Sequence, residues 1–223
     1  MKHLAAVCIL SASGTIFAFD LTPKDTCRPQ SGALCSAARL DGVDWRGASL
    51  SYAEFERARL TRANLQRAIL QGADLSNADL TRANLIAADL QAADFHGASL
   101  ESARLSRSDL SYARMRGVQM SSAVLRDATL SGADLSGSVL RSADFENARL
   151  QNVQLGGADA AYANFHGADL SDASLTGANL RGANFRGADL RNADLRHADI
   201  TGALFAGAQT SNCVGCPLQL VNR

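Results

Sequence analysis

The chain has 223 residues, of which 47% are apolar and only 5% aromatic, and its 22 basic and 22 acidic side chains leave a formal net charge of zero. This is the composition of a soluble protein with a core of small side chains. It excludes a chain dominated by one sign of charge.

Residues 1–18 differ from everything after them. Lys2 and His3 precede an apolar run from Leu4 to Leu10, followed by Ser11, Ser13, Gly14 and then Thr15-Ile16-Phe17-Ala18. A short basic start, a short apolar stretch and a small residue at its end read as a secretory signal peptide cut near Ala18. Ile16, third from that cut, fits imperfectly, and a retained N-terminal tail is the alternative. The run is too short and too polar at its end to span a membrane. Removing it takes away Lys2 and no acid, so 21 basic and 22 acidic residues remain and the net charge becomes −1. The expected location is the periplasm or the cell exterior. Residues 19–30 contain Pro23 and Pro29 and no repeat, as a lead-in or cap would.

From 31 to 207 a single pattern holds. A large apolar residue falls on every multiple of five from Cys35 to Phe205, 35 repeats in all, and only Ala160 underfills it. Ala stands two residues earlier in 30 of the 35, the exceptions being Val43, Ser108, Val118, Ser138 and Val153. On an α-helix five residues turn about 500°, so successive leucines would share no face. On a continuous strand an odd period would send every second leucine to the opposite side. The pattern works only if the chain turns a corner once per repeat, with Ala and the large residue inward, the residue between them outward, and two residues in the turn. Fourteen of the 18 glycines sit in one phase, two residues after the large one, and Asn77, Asn147, Asn152 and Asn192 share that phase. That is where a turn needs positive φ. An Ala-rich helical tract would not keep its glycines in one phase.

The consensus A-(D/N)-L-x-x, as in Ala73-Asp74-Leu75, Ala168-Asp169-Leu170 and Ala188-Asp189-Leu190, resembles the pentapeptide repeat proteins. The resemblance implies an all-β fold, a right-handed quadrilateral parallel β-helix in a single domain, with four repeats per coil. Phe145, Phe165, Phe185 and Phe205, spaced by 20, support that count independently and predict one internal ladder. At a strand spacing of ~4.8 Å, just under nine coils make a rod of roughly 40 Å. In this family the outward Asp or Asn, present here in 18 of 35 repeats, is understood to bond locally and stack in ladders. On 20-residue coils Asp89, Asp109, Asp169 and Asp189 share one face, interrupted by Thr129 and Arg149. Ala160 is expected to leave a local gap or kink, a ligand pocket being the alternative. Residues 208–223 form a C-terminal tail in which Leu218 and Leu220 return to phase, as a lid over the last coil would.

Four cysteines remain after cleavage, Cys27 and Cys35 at one end and Cys213 and Cys216 at the other. A rod keeps the two pairs ~40 Å apart, whereas a disulfide needs Cα atoms within about 7 Å. Within one chain only Cys27–Cys35 and Cys213–Cys216 can pair, as structural staples, and the same distance excludes a zinc site built from all four thiolates. A redox role for Cys213-x-x-Cys216 is the alternative.

Arg57, Arg59, Arg62, Arg67 and Arg82 cluster towards the first coils, with Arg39 and Arg46 nearby and Glu54 and Glu56 partly offsetting them. They form the candidate interaction surface for an acidic partner; an ordinary solvated face is the alternative. The three histidines left after cleavage, His96, His166 and His197, are too dispersed along a rod to share a proton transfer, and no nucleophile elbow, phosphate-binding loop or metalloprotease motif is present. A solenoid filled with Ala and Leu also leaves no room for a substrate. No catalytic, cofactor-binding or metal-ligating residue is expected, and no cofactor.

The reading is a non-enzymatic exported module, structural or protein-binding, with an unidentified protein partner. It would be a monomer or an end-to-end dimer with no membrane span, and nucleic acid is not the expected ligand. The resemblance carries a second possibility, because some relatives mimic duplex DNA and bind DNA gyrase. Those relatives are long acidic rods with a two-fold dimer at a C-terminal helix. This chain departs from them in its near-zero charge, its unbroken register from 35 to 205 and the lack of an amphipathic helix after it.

Overall fold

Every side of every coil is held by a single bridging residue. The structure, a computed structural model, describes residues 27–217. The signal peptide, its cleavage site, most of the lead-in, and Leu218 and Leu220 lie outside the described residues. From Leu34 to Val214 each residue between the Ala and the large residue pairs in parallel with the one 20 positions on, as in Leu34–Glu54, Arg39–Arg59, Asp44–Asn64 and Ser49–Ile69. Four pentapeptides therefore make one coil, and four columns of bridges make four faces. The first face carries 34, 54, 74 and onward, the second 39, 59 and onward, the third 44, 64, 84, 104 and onward, and the fourth 49, 69 and onward. The fourth contains Asp89, Asp109, Thr129, Arg149, Asp169 and Asp189 in sequence, as the spacing of 20 predicts. Among the described residues the ladder consists of isolated bridges and not of continuous strands, because a corner follows within two residues of each bridge.

One repeat shows why this arrangement is stable. In Ala143-Asp144-Phe145-Glu146-Asn147 the Ala143 N–H donates to Leu140 O across the turn (3.0 Å), and Asp144 N–H donates back one coil to Ala123 O (2.9 Å). Phe145 and Asn147 donate forward one coil, to Asn164 O (2.7 Å) and His166 O (2.9 Å). The remaining donor, Glu146 N–H, goes to the Oδ1 of Asp144 (3.2 Å). All five amides are satisfied, as buried backbone requires. The last bond explains the preference for Asp or Asn on the faces: a short side-chain oxygen there accepts the one N–H that the coils leave over. The same bond recurs at Ser76–Asp74, Thr81–Asp79, His96–Asp94 and Ser171–Asp169.

The interior is sealed. Ala53 to Leu195 are buried at both inward positions of every repeat, including the exceptional Ser108 and Ser138. Their hydroxyls donate to Leu105 O and Leu135 O, three residues back, at 2.7 and 2.6 Å, so a buried polar atom is satisfied without leaving its own turn. Phe145, Phe165, Phe185 and Phe205 stack with centroids 5.1, 5.0 and 5.1 Å apart and planes within 10°. Ala160 makes no kink. Bridges Val139–Asp159 and Asp159–Asn179 run through it, and its N–H keeps the forward bond to Asn179 O at 2.8 Å. Backbone pairing on the flanking faces fixes the coil whatever fills that one column. The ends are looser: Val43, Trp45 and Ala48 at the start and Ala198, Ile200, Ala203 and Ala208 at the finish are only partly buried. Coil geometry also continues beyond 207, with Gln209 bridged to Asp189 and Val214 to Asp194. Cys27 and Cys35 lie with Cα atoms 5.0 Å apart, and Cys213 and Cys216 5.8 Å apart.

The corners differ most from expectation. Positive φ is not confined to Gly and Asn. Every second turn residue from 32 to 212 adopts it, and 22 of them are not glycine, among them Arg57, Arg62, Arg67 and Tyr52, at 54° to 61°. The ladder imposes the turn, and the residue follows. Large side chains at these corners lean over the next coil. A Cβ added to Gly72, Gly132 or Gly182 would lie 2.7 to 2.9 Å from the ring of Tyr52, Tyr112 or Tyr162, each 20 residues earlier. All three tyrosines of the chain thus have glycine directly above them. Gly182→Ala is expected to cost about 1–2 kcal/mol from backbone strain, plus a coupling of about 0.5–3 kcal/mol with Tyr162. Gly157→Ala, with open space around it and φ of 65°, serves as the strain-only control. Urea titrations of both variants, each with and without Tyr162→Ala, measure the coupling; equal costs for the two glycines would contradict it.

Candidate interaction surface

The five arginines picked out by sequence do not form one patch. Arg57, Arg62 and Arg67 occupy three successive corners of one coil, and Arg82 sits one coil beyond Arg62 on the same corner. Arg59 lies on the second face between Arg39 and Asp79. Two of the five are engaged: Arg57 Nε is 3.4 Å from Glu56 Oε1, and Arg59 reaches Asp41 Oδ2 at 3.3 Å. Arg62, Arg67 and Arg82 form no ion pair among the described residues.

These three edge the third face. Arg62 and Arg82 line one corner and Arg67 the other, with Asn64 and Asn84 on the wall between them. Asn84 Nδ2 donates to Asn64 Oδ1 at 3.3 Å, and the two side-chain oxygens accept the N–H of Gln66 and Ile86. The next residue up the wall is Arg104, bridged to Asn84 and Val124, and it too lacks an ion pair among the described residues. Sequence reasoning missed Arg104, although counting by 20 from Asn64 finds it. Arg107 shares the corner of Arg67 two coils on, loosely held by Asp127 at 3.9 Å. The opposite, first face carries Glu54, Asp74 and Asp94 at the same heights. The first coils are therefore charged oppositely on opposite faces despite their near-neutral sum.

Most of the later arginines are engaged, Arg149 and Arg186 being the exceptions among the described residues. Arg114 pairs with Asp94 (2.9 Å), Arg141 with Asp159 (3.0 Å), Arg181 with Asp199 (3.3 Å), and Arg191 and Arg196 with Asp189 and Asp194. Arg196 is bidentate: Nε donates to Oδ1 at 2.9 Å and its terminal nitrogen to Oδ2 at 2.6 Å, while its N–H reaches Oδ1 at 3.0 Å. The guanidinium bonds, then the backbone N–H, hold the Asp194 carboxyl down at about 2. Arg191 lowers Asp189 in the same way, and Thr201 with Arg181 lowers Asp199. Since Asp194 binds its proton less readily when folded than when unfolded, its stabilisation is complete above the ordinary carboxylate range. It is lost as the pH falls towards 2. Arg196→Gln is expected to raise the Asp194 pKa toward its ordinary value, read by carboxyl NMR titration; an unmoved titration would contradict the pairing.

Little else on the surface offers chemistry. His96, His166 and His197 are exposed turn residues on separate repeats. Among the described residues no group of His, Cys, Asp and Glu is placed to hold a metal ion, and no helix is long and apolar enough to cross a membrane. An open depression of about 340 Å³ lies on the corner formed by Ser171, Asp172, Arg191, Asn192, Ser211 and Asn212. Its side chains bond one another: Asn192 Nδ2 donates to Asp172 Oδ1 at 3.0 Å and Asn212 Nδ2 to Asn192 Oδ1 at 3.1 Å.

The family model for pentapeptide repeats matches in eight copies between residues 31 and 207. The chain belongs to the pentapeptide repeat family. Among solved structures of the family, it is similar to HetL, a pentapeptide repeat protein involved in heterocyst differentiation regulation from the cyanobacterium Nostoc sp. strain PCC 7120. The identity is 35%, over 78% of this chain and 85% of that one, with a TM-score of 0.45. It is similar in fold to a trypsin-treated single-substitution variant of QnrB1, a plasmid-mediated fluoroquinolone resistance protein, at 21% identity. There the match covers 75% of this chain and 86% of that one, with a TM-score of 0.65. No curated protein sequence matches it.

Proposed function

We propose that this pentapeptide repeat chain is a non-enzymatic, exported module that binds another protein or serves as a structural element. In this reading it is a right-handed quadrilateral parallel β-helix whose end coils are stapled by Cys27–Cys35 and Cys213–Cys216 disulfides. The observation that carries the reading is the sealed interior from Ala53 to Leu195, which leaves only the outer faces for recognition. The signal-like first 18 residues and the two close cysteine pairs both favour an oxidising compartment. Mass spectrometry of the form recovered from outside the cytoplasm tests this. A chain starting at Phe19 with no free thiol is expected, and an intact N-terminus with all five thiols free, Cys8 included, inside the cell overturns it.

The second reading is a gyrase-binding DNA mimic, for which the fold likeness to a fluoroquinolone resistance protein is the favouring observation. The free arginines along the third face weigh against it, because a duplex mimic must present acids. Purified protein that protects gyrase supercoiling from a fluoroquinolone at near-equal molar ratio would establish it, and no effect on supercoiling would remove it.

A further inference from the structure

We propose that the wall framed by Arg62, Arg67, Arg82 and Arg104 is a docking surface for a short acidic polypeptide segment. The proposal rests on the reading of this chain as a protein-binding module and names the chemistry of its partner. What sets these four apart is that they share one wall and none has a carboxylate partner among the described residues. Arg28, Arg39, Arg149 and Arg186 also lack one but stand singly, before the first coil, on the second face, on the fourth face and at a late corner. Arg114, Arg141, Arg181, Arg191 and Arg196 each have an aspartate within 3.3 Å, in their own repeat or an adjacent coil. The four on the third face have asparagine between them instead. Asn64 and Asn84 supply the turn-closing oxygen that aspartate supplies elsewhere, without its charge. Local backbone needs are therefore met while the guanidinium forks stay open for carboxylates from outside.

The layout favours a short peptide over a long polyanion. Arg62 and Arg82 stand one coil apart on one edge, Arg67 faces them across the wall, and Arg104 closes the top. Three coils span only ~10–15 Å along the axis. The same column holds Asp44 below the patch, paired with Arg46, and Asp144 above it, beyond Val124. Glu101 stands on the edge above Thr81. A nucleic acid lying along this face would run onto Asp44 and Asp144, whereas a segment bearing three or four acids would end before both, with Glu101, at the height of Arg104, its one acidic neighbour. The half-buried amide of Asn64, whose Nδ2 has no partner among the described residues, adds a donor for a backbone carbonyl.

The test uses the full mature chain and a fluorescein-labelled tetraglutamate peptide, with binding followed by anisotropy at low salt. R62Q/R67Q/R82Q/R104Q is expected to weaken binding about tenfold or more. R141Q/R181Q/R191Q/R196Q, which removes the same number of charges, should change it less than about twofold. The lysine version R62K/R67K/R82K/R104K should retain most of the binding and guards against a misfolded glutamine variant. Equal loss in the two glutamine variants, or no binding by the wild type, overturns the proposal. So does tighter binding of a duplex oligonucleotide that the R62Q/R67Q/R82Q/R104Q variant abolishes. Failure here leaves the export reading intact, since that is judged by the mature N-terminus and thiol count.

Discussion

Phe165→Ala is expected to destabilise the protein by about 3–5 kcal/mol, as large-to-small changes of buried aromatics do. Phe165 is fully buried and stacked on both sides, 5.1 Å from Phe145 and 5.0 Å from Phe185. Its removal strips two aromatic contacts as well as its own buried area. The natural Ala160, one repeat earlier, shows that a coil with an underfilled column still forms when the ladder on either side is intact. The variant should therefore fold, with the loss felt most by the coils from Phe165 to the C-terminal end, because a solenoid is stabilised by its nearest neighbours. Urea denaturation gives the total, and hydrogen exchange shows whether amides beyond Phe165 lose protection first. A cost below about 1 kcal/mol would mean that the ring stack is incidental to stability.

Reduction of the proposed Cys27–Cys35 disulfide is the second large effect, expected at about 2–3 kcal/mol from the short loop it would close. Cys35 occupies an inward position of the first coil with 1% of its surface exposed, and Cys27 packs beside it. Among the described residues no coil precedes the first, so a disulfide here would join the lead-in to the first inward position of the rod. A disulfide between Cys213 and Cys216 would close a much shorter loop on an exposed segment and should matter less. Thermal melts of wild type and Cys35→Ala, each with and without reductant, separate the contributions. A reductant-sensitive melting temperature in the wild type but not in Cys35→Ala is the expected outcome. An identical shift in both would assign the effect to Cys213 and Cys216.

The fold was legible because its constraint is periodic. Leucine on multiples of five and glycine in one phase require a corner per repeat, and phenylalanines 20 apart give the coil length. What stayed hidden depends on contacts between coils. The left-handed corners at Arg57 or Tyr162 leave no mark in the residues themselves, since the ladder forces that backbone on whatever occupies the position. The pairing of tyrosine with glycine 20 residues later was available to column counting, as was Arg104 above Asn84. Grouping arginines by closeness along the chain instead joined Arg57 and Arg59, which are held by Glu56 and Asp41, to Arg62, Arg67 and Arg82 on a different wall. On a solenoid, neighbours in space are 20 apart as often as they are five apart.

Every assignment to a face or corner depends on residue i lying beneath residue i+20. NMR couplings across hydrogen bonds measure that register directly in solution. Leu125 N–H is expected to couple to the carbonyl carbon of Asp144, and Asp144 N–H to that of Ala123, as their 2.7 and 2.9 Å bonds require. Coupling of Leu125 N–H to Ser121 instead would show a helix and contradict the coil.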